Sequence, residues 1–121
     1  MHLYSGINQY YLVKGDTTDD STCNEISCDT KLAEESEVHA VRCCSDTQIS
    51  GWLKQPQCSV WATADKLGGC NALNWKEANT LCISNGGRLC TKSELESNCA
   101  KDSGCRYDFR RVWSSTAGKF K

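Results

Sequence analysis

The sequence predicts a small, disulfide-rich α+β domain in which two helices pack against a short antiparallel sheet, preceded by a β-prone N-terminal arm. Three observations predict it. Ten cysteines stand in 121 residues, at positions 23, 28, 43, 44, 58, 70, 82, 90, 99 and 105. Two short segments carry paired helix-start signals. The stretches around them are short, alternate in polarity, and are broken by Gly, Pro and Ser.

The length suits one compact domain. Leu, Ile, Val and Phe total only 20 residues, a thin aliphatic core that needs cross-links. An even cysteine number, about 8% of the chain, fits a disulfide framework in an oxidising compartment. No C-x2-C pair is present, and His2 and His39 stand apart from any cysteine pair, so a structural metal site is not expected. All ten cysteines are expected in disulfides, in an extracellular or cell-surface setting. No apolar run is long enough for a membrane span. The opening residues lack a basic n-region and a long apolar h-region, so an export signal is expected to be outside this stretch or already removed.

The net charge of −1 hides an asymmetry: residues 1–37 hold eight acidic and two basic side chains, residues 100–121 six basic and two acidic. One end can attract the other, or the same end of a neighbour. There is no dense Lys/Arg face interleaved with aromatics, which argues against nucleic acid.

The chain divides into an arm with an acidic loop (1–37) and a cysteine-rich domain (38–121). In the arm, Tyr10, Tyr11, Leu12 and Val13 suit an edge strand that must pair with something. Cys23 and Cys28 pin the acidic loop, to each other or to the body. Then "VHAVRCCSD" alternates as one half-buried strand, with Cys43 and Cys44 pointing to opposite faces and so bound to different partners. The stretch 48–70 reads as loops with one short strand at "CSVWA".

The helix signals come next. Asn74 with Glu77 forms one capping arrangement, and Thr91 with Glu94 another. Trp75, Ala78 and Cys82 share a face of the first helix, which Gly86 or Gly87 stops. Leu95 and Cys99 share the inner face of the second. Cys90 and Cys99, on the order of 12 Å apart along a helix, are too distant to bond. Cys99 and Cys105 flank a turn and can pair, and Cys82 is expected to reach Cys43 or Cys44. A last short strand is expected around Val112 and Trp113.

The order Trp75-x-x-Ala78-x-x-x-Cys82-x-x-x-Gly86-Gly87-Arg88-Leu89, then Thr91 and Glu94-Leu95, resembles the opening helices of the C-type-lectin-like superfamily, which includes C-type lectins, Link modules and formylglycine-generating enzymes. "AVRCCSD" before it and "VWSST" after it look closer still to a cysteine-rich extracellular domain of unassigned function in algal and diatom proteins. The resemblance covers roughly residues 39–116. It implies a C-type-lectin-like fold, but not its calcium chemistry. There is no E-P-N or Q-P-D loop and no W-N-D strand, since Ser114 and Ser115 follow Trp113. The family's late cysteine, partner of the helix-one cysteine, is also missing after Cys105. The rest of a lectin sheet is therefore absent, or supplied by the arm or by another subunit.

The expected function is non-enzymatic recognition or assembly without cofactor or metal. No Ser, His and Asp constellation or catalytic carboxylate pair stands out, and oxidised cysteines are no nucleophiles. An enzyme akin to the formylglycine-generating oxidases is the weakest alternative. The residues expected to meet a carbohydrate or an extracellular protein are Trp52, Trp61, Tyr107, Asp108, Arg110 and Arg111, aromatic faces beside polar groups. Trp75 and Trp113 are expected in the core. The competing expectation is a structural subunit of a fibre, appendage or coat, self-associating through the arm. Arg88 is expected to pair with a carboxylate at the core edge or to face a ligand.

Overall fold

In the computed structural model, which describes residues 8–18, 23, 25 and 27–118, the chain forms two sheets and two helices. The strands are β1 (Gln9–Lys14), β2 (Lys31–Glu34), β3 (His39–Ala40), β4 (Cys43–Ser45), β5 (Leu53–Lys54), β6 (Trp61–Thr63), β7 (Ala72–Leu73), β8 (Arg88–Leu89) and β9 (Arg111–Gly118). The helices are α1 (Trp75–Ser84) and α2 (Lys92–Glu96), and a 3₁₀ turn covers Tyr107–Phe109. One sheet has the order β2-β1-β9-β3-β7, the other β5-β6-β4-β8. The single short antiparallel sheet of the sequence reading is thus two sheets, and the larger contains a parallel contact, Ala40 beside Val112.

The arm supplies two strands of the larger sheet. β1 lies between β2 and β9, so it is an interior strand rather than an edge, and Leu12 and Val13 are fully buried. The opposite charges of the chain ends meet within one molecule: Glu25 pairs with Arg111 at 3.3 Å and Asp16 with Lys101 at 3.9 Å.

The expected strand at 38–45 is two strands. The chain leaves the larger sheet after Ala40, crosses at Val41 and Arg42, and enters the smaller one at Cys43. Alternation persists across the crossing, because successive side chains still go to opposite sides. Ala40 and Cys44 belong to one apolar cluster, Val41 and Cys43 to the other. Leu12 and Val13, and likewise Val112 and Trp113, divide between the same two clusters. Both faces of the strands are therefore buried, which is how a chain poor in aliphatics shields its backbone.

Five disulfides join Cys23–Cys28, Cys43–Cys82, Cys44–Cys90, Cys58–Cys99 and Cys70–Cys105. Cys43 and Cys44 do take different partners. Cys99 and Cys105 do not bond to each other: Cys99 turns inward to Cys58 beside Leu95 and Ala100. Between them Asp102, Gly104 and Cys105 adopt left-handed backbone that sends Cys105 towards Cys70 instead.

Both capping boxes form. Asn74 accepts from the Glu77 N–H at 2.9 Å and Thr91 from the Glu94 N–H at 3.0 Å, while each glutamate reaches back to the cap. Gly86, at φ 89°, turns the chain out of α1, a conformation only glycine adopts without cost. Gly87 is needed for a different reason: a Cβ there would lie 2.9 Å from the Trp52 ring. Trp113 is fully buried with its indole N–H donating to Leu73 O at 2.8 Å, and Trp75 is half-buried, stacked on Tyr10 at 3.8 Å. Among the described residues no helix is long and apolar enough to cross a membrane.

Candidate ligand-binding cavity

β3, β7 and the start of β9 meet at one end of the larger sheet, and a cavity of about 470 Å³ opens there. Its wall includes His39, Ala40, Ala72, Cys105, Tyr107, Arg110, Arg111 and Glu25. This volume is in the range of roughly 300–1,000 Å³ that small-molecule sites occupy.

The segment carrying Tyr107 is set by its backbone. Gly104, Cys105 and Arg106 are all left-handed, at φ 110°, 63° and 59°. For the two non-glycine residues this costs about 1–2 kcal/mol each. The Cys70–Cys105 bond and a buried ion pair hold them there. Arg42, fully shielded at the sheet crossing, contacts Asp108 at 2.9 Å and donates to Gly104 O at 3.0 Å. Burial pushes the Arg42 guanidinium below its ordinary value, and the nearby Asp108 carboxylate opposes that shift. Asp108 also accepts from the Asp102 N–H at 3.0 Å. Gly15 covers this network: any Cβ there would collide with Tyr107 O and Arg42 Nη1.

Tyr107 is half-buried, with its hydroxyl donating to Asn71 O at 3.0 Å, and burial pushes the phenol up. Arg110 is exposed, and no hydrogen bond or ion pair from a described residue engages its guanidinium. Arg111 is the opposite case, its side chain only 10% exposed and tied to Glu25. His39 sets its ring edge against Trp113 at 5.0 Å and contacts Glu37 through Nε2 at 2.8 Å.

Three of the six expected contact residues, Tyr107, Arg110 and Arg111, therefore converge on one cavity. Asp108 stands next to them, but its carboxylate holds Arg42 rather than facing the opening. Trp52 and Trp61 lie elsewhere. Trp52 is a core residue, 9% exposed, because the turn closed by its N–H to Ile49 O at 3.0 Å directs the indole inward over Gly87. Trp61, on β6, is half-buried against the same core cluster.

Arg88 takes the carboxylate partner: both its terminal nitrogens donate to Glu94 at 2.8 Å, and Nη2 also reaches Asp46 at 2.8 Å. Cys44, Cys90 and Glu94 bring ligand-type atoms within 4.8 Å of one another. The sulfurs are bonded together and the carboxylate serves Arg88, so this cluster is already satisfied internally.

Sequence reasoning missed Arg42, Glu25 and the placement of His39. Arg42 was within reach, since it shares the parity of Ala40 and Cys44, both inward-facing. The other two enter the site through pairings distant in sequence.

Compared with known proteins, the chain matches no family model, no curated protein and no solved structure.

Proposed function

We propose that this chain is an extracellular, non-enzymatic recognition module of C-type-lectin-like type that binds carbohydrate, without calcium, in the cavity bordered by Tyr107, Arg110, Arg111 and His39. The observation that carries the reading is the cavity's lining: an aromatic ring, an exposed cation that no hydrogen bond or ion pair from a described residue engages, and a half-shielded imidazole converge on one concave space. An aromatic side chain offers area at low entropy cost, and fixed polar groups around it supply orientation. The C-type-lectin-like frame is supported by the two capped helices in the motif's order, with the arm completing the sheet around β9. Five disulfides are typical of extracellular proteins, and with all ten cysteines bonded no thiolate is left for catalysis.

Assembly through the arm is the second reading: the opposite charges of the two ends, paired within one molecule here, would pair between copies instead. With β1 already seated between β2 and β9, it requires exchange of strands between copies.

Glycan-array screening followed by calorimetry on the best ligand tests the first reading. Tyr107→Ala and Arg110→Ala should each weaken binding about tenfold, about 1.4 kcal/mol. Trp61→Ala should change it little; the reverse pattern would put the site on the smaller sheet and refute the assignment.

A further inference from the structure

The cavity's cationic wall is occupied by the protein itself. Glu25 Oε2 accepts the Arg111 backbone N–H at 2.8 Å and Oε1 accepts from Arg111 Nη2 at 3.3 Å. Arg111 Nη1 donates to Asp29 O at 3.1 Å. The remaining donor, Nε, is shielded from water and has no acceptor among the described residues. A buried donor left unmatched is costly, and Glu25 does not reach it.

A guanidinium binds an oxyanion best side-on, through two parallel N–H groups, and Nε with Nη2 form such an edge. Glu25 uses only half of that edge, and at the longer of its two distances. It is also carried on a loop closed by Cys23–Cys28, two cysteines five residues apart that bond to each other and not to the body. Displacing this loop breaks no cross-link. Arg110, exposed and unengaged by described residues, stands beside it in the same wall.

We propose that Glu25 is a built-in stand-in for a ligand anion, and that the cavity takes acidic saccharides. The ligand's carboxylate or sulfate replaces Glu25 on Arg111, satisfies Nε as well as Nη2, and gains Arg110 as a second cation. The sugar ring lies against Tyr107. This rests on the recognition reading above and names the ligand class of that site. Glu25 thereby sets the threshold: a neutral sugar has no group to exchange for it, whereas an acidic one does. Apparent affinity is reduced by the fraction of molecules in which the internal anion holds the site.

The test is calorimetry on the full chain with three trisaccharides: an oligogalacturonate, a sulfated galactan fragment, and a neutral galactan fragment. At least one acidic probe should bind about tenfold or more tightly than the neutral one, the difference shrinking as salt is raised. Which acidic probe wins identifies the carboxylate or the sulfate as the source. Glu25→Gln should strengthen acidic binding about three- to tenfold by removing the competitor. Arg110→Gln, at an exposed position, should weaken it by a similar factor. Equal binding of all three probes, sensitive to Tyr107→Ala, would overturn the acidic-ligand inference and leave the recognition reading standing. Acidic binding unchanged or weakened by Glu25→Gln would overturn the stand-in role. No binding by any probe would overturn the acidic-ligand inference, and the recognition reading would fall only if the glycan array also showed no ligand.

Discussion

The stretch 43–105 and the five-stranded sheet are held together in different ways. Four disulfides stitch the first, tying β4 to α1 and to the end of β8, and the loops before β6 and before β7 to the segment after α2. No disulfide reaches a strand of the second, where β1 and β9 lie side by side through backbone pairing and the burial of Leu12, Val13, Val112 and Trp113. Its one cross-link, Cys23–Cys28, is local. Cross-links fix the first, whereas the second depends on its own pairing and packing. The cavity draws on both: Cys105 in its wall is cross-linked to Cys70, whereas Glu25 lies on a loop whose disulfide is local and is held to the sheet by hydrogen bonds to Arg111.

Reduction should expose the contrast most strongly. Each long-range disulfide closes about 36–47 residues and contributes roughly 4 kcal/mol by the chain-entropy account. Losing four exceeds the roughly 5–15 kcal/mol by which a domain is stable. Excess dithiol should therefore unfold the protein, seen as loss of near-UV dichroism; a fully reduced chain that keeps its Tm would show that the disulfides are not what holds residues 43–105 together. In the other region the largest single effect should come from Trp113→Ala, a loss of about 3–5 kcal/mol in denaturant titration. That change removes a fully buried ring and leaves Leu73 O without its donor.

The local disulfide should matter less. Cys23→Ser with Cys28→Ser should cost about 2 kcal/mol or less, because the closed loop is short. A loss as large as that for Cys58→Ser with Cys99→Ser would show the acidic loop to be part of the stitched unit. The smallest effect concerns Arg88 and Glu94. Partial burial pushes the Glu94 carboxyl up, but the hydrogen bonds from Arg88 and the Thr91 N–H outweigh it and hold it below its ordinary 4.5. A depressed carboxyl stabilises the fold above its unfolded pKa, and that contribution fades as pH falls through the folded one. Glu94→Gln keeps a capping side chain and removes the charge. It should cost about 1 kcal/mol at pH 7 and flatten the acid limb of stability below pH ~4.5.

Local features were the most legible in the sequence. Both capping boxes and the glycine stop depend on residues three or four apart, and all formed where Asn74, Thr91 and Gly86 announced them. Parity told apart the partners of Cys43 and Cys44. The division into two sheets was hidden, since alternation runs through Val41 and Arg42 without a break. β3, β5, β7 and β8 have two residues each, too few to show a period. At the site, Tyr107, Arg110 and Arg111 were legible as a contiguous aromatic and basic run, whereas Trp52 looked available only because burial of a loop indole depends on what folds over it. Glu25 arrives by a contact across 86 positions, which no local pattern encodes.

Exchange of Glu25 for a ligand anion would be seen residue by residue in a backbone amide NMR titration of the full chain with an oligogalacturonate or a sulfated galactan fragment. Shifts should be confined to His39, Ala72, Tyr107, Arg110 and Arg111, with Glu25 moving to a released position at the same ligand concentrations. Shifts centred on Leu53, Lys54 and Trp61 of the smaller sheet, with Glu25 and Arg111 unmoved, would contradict it.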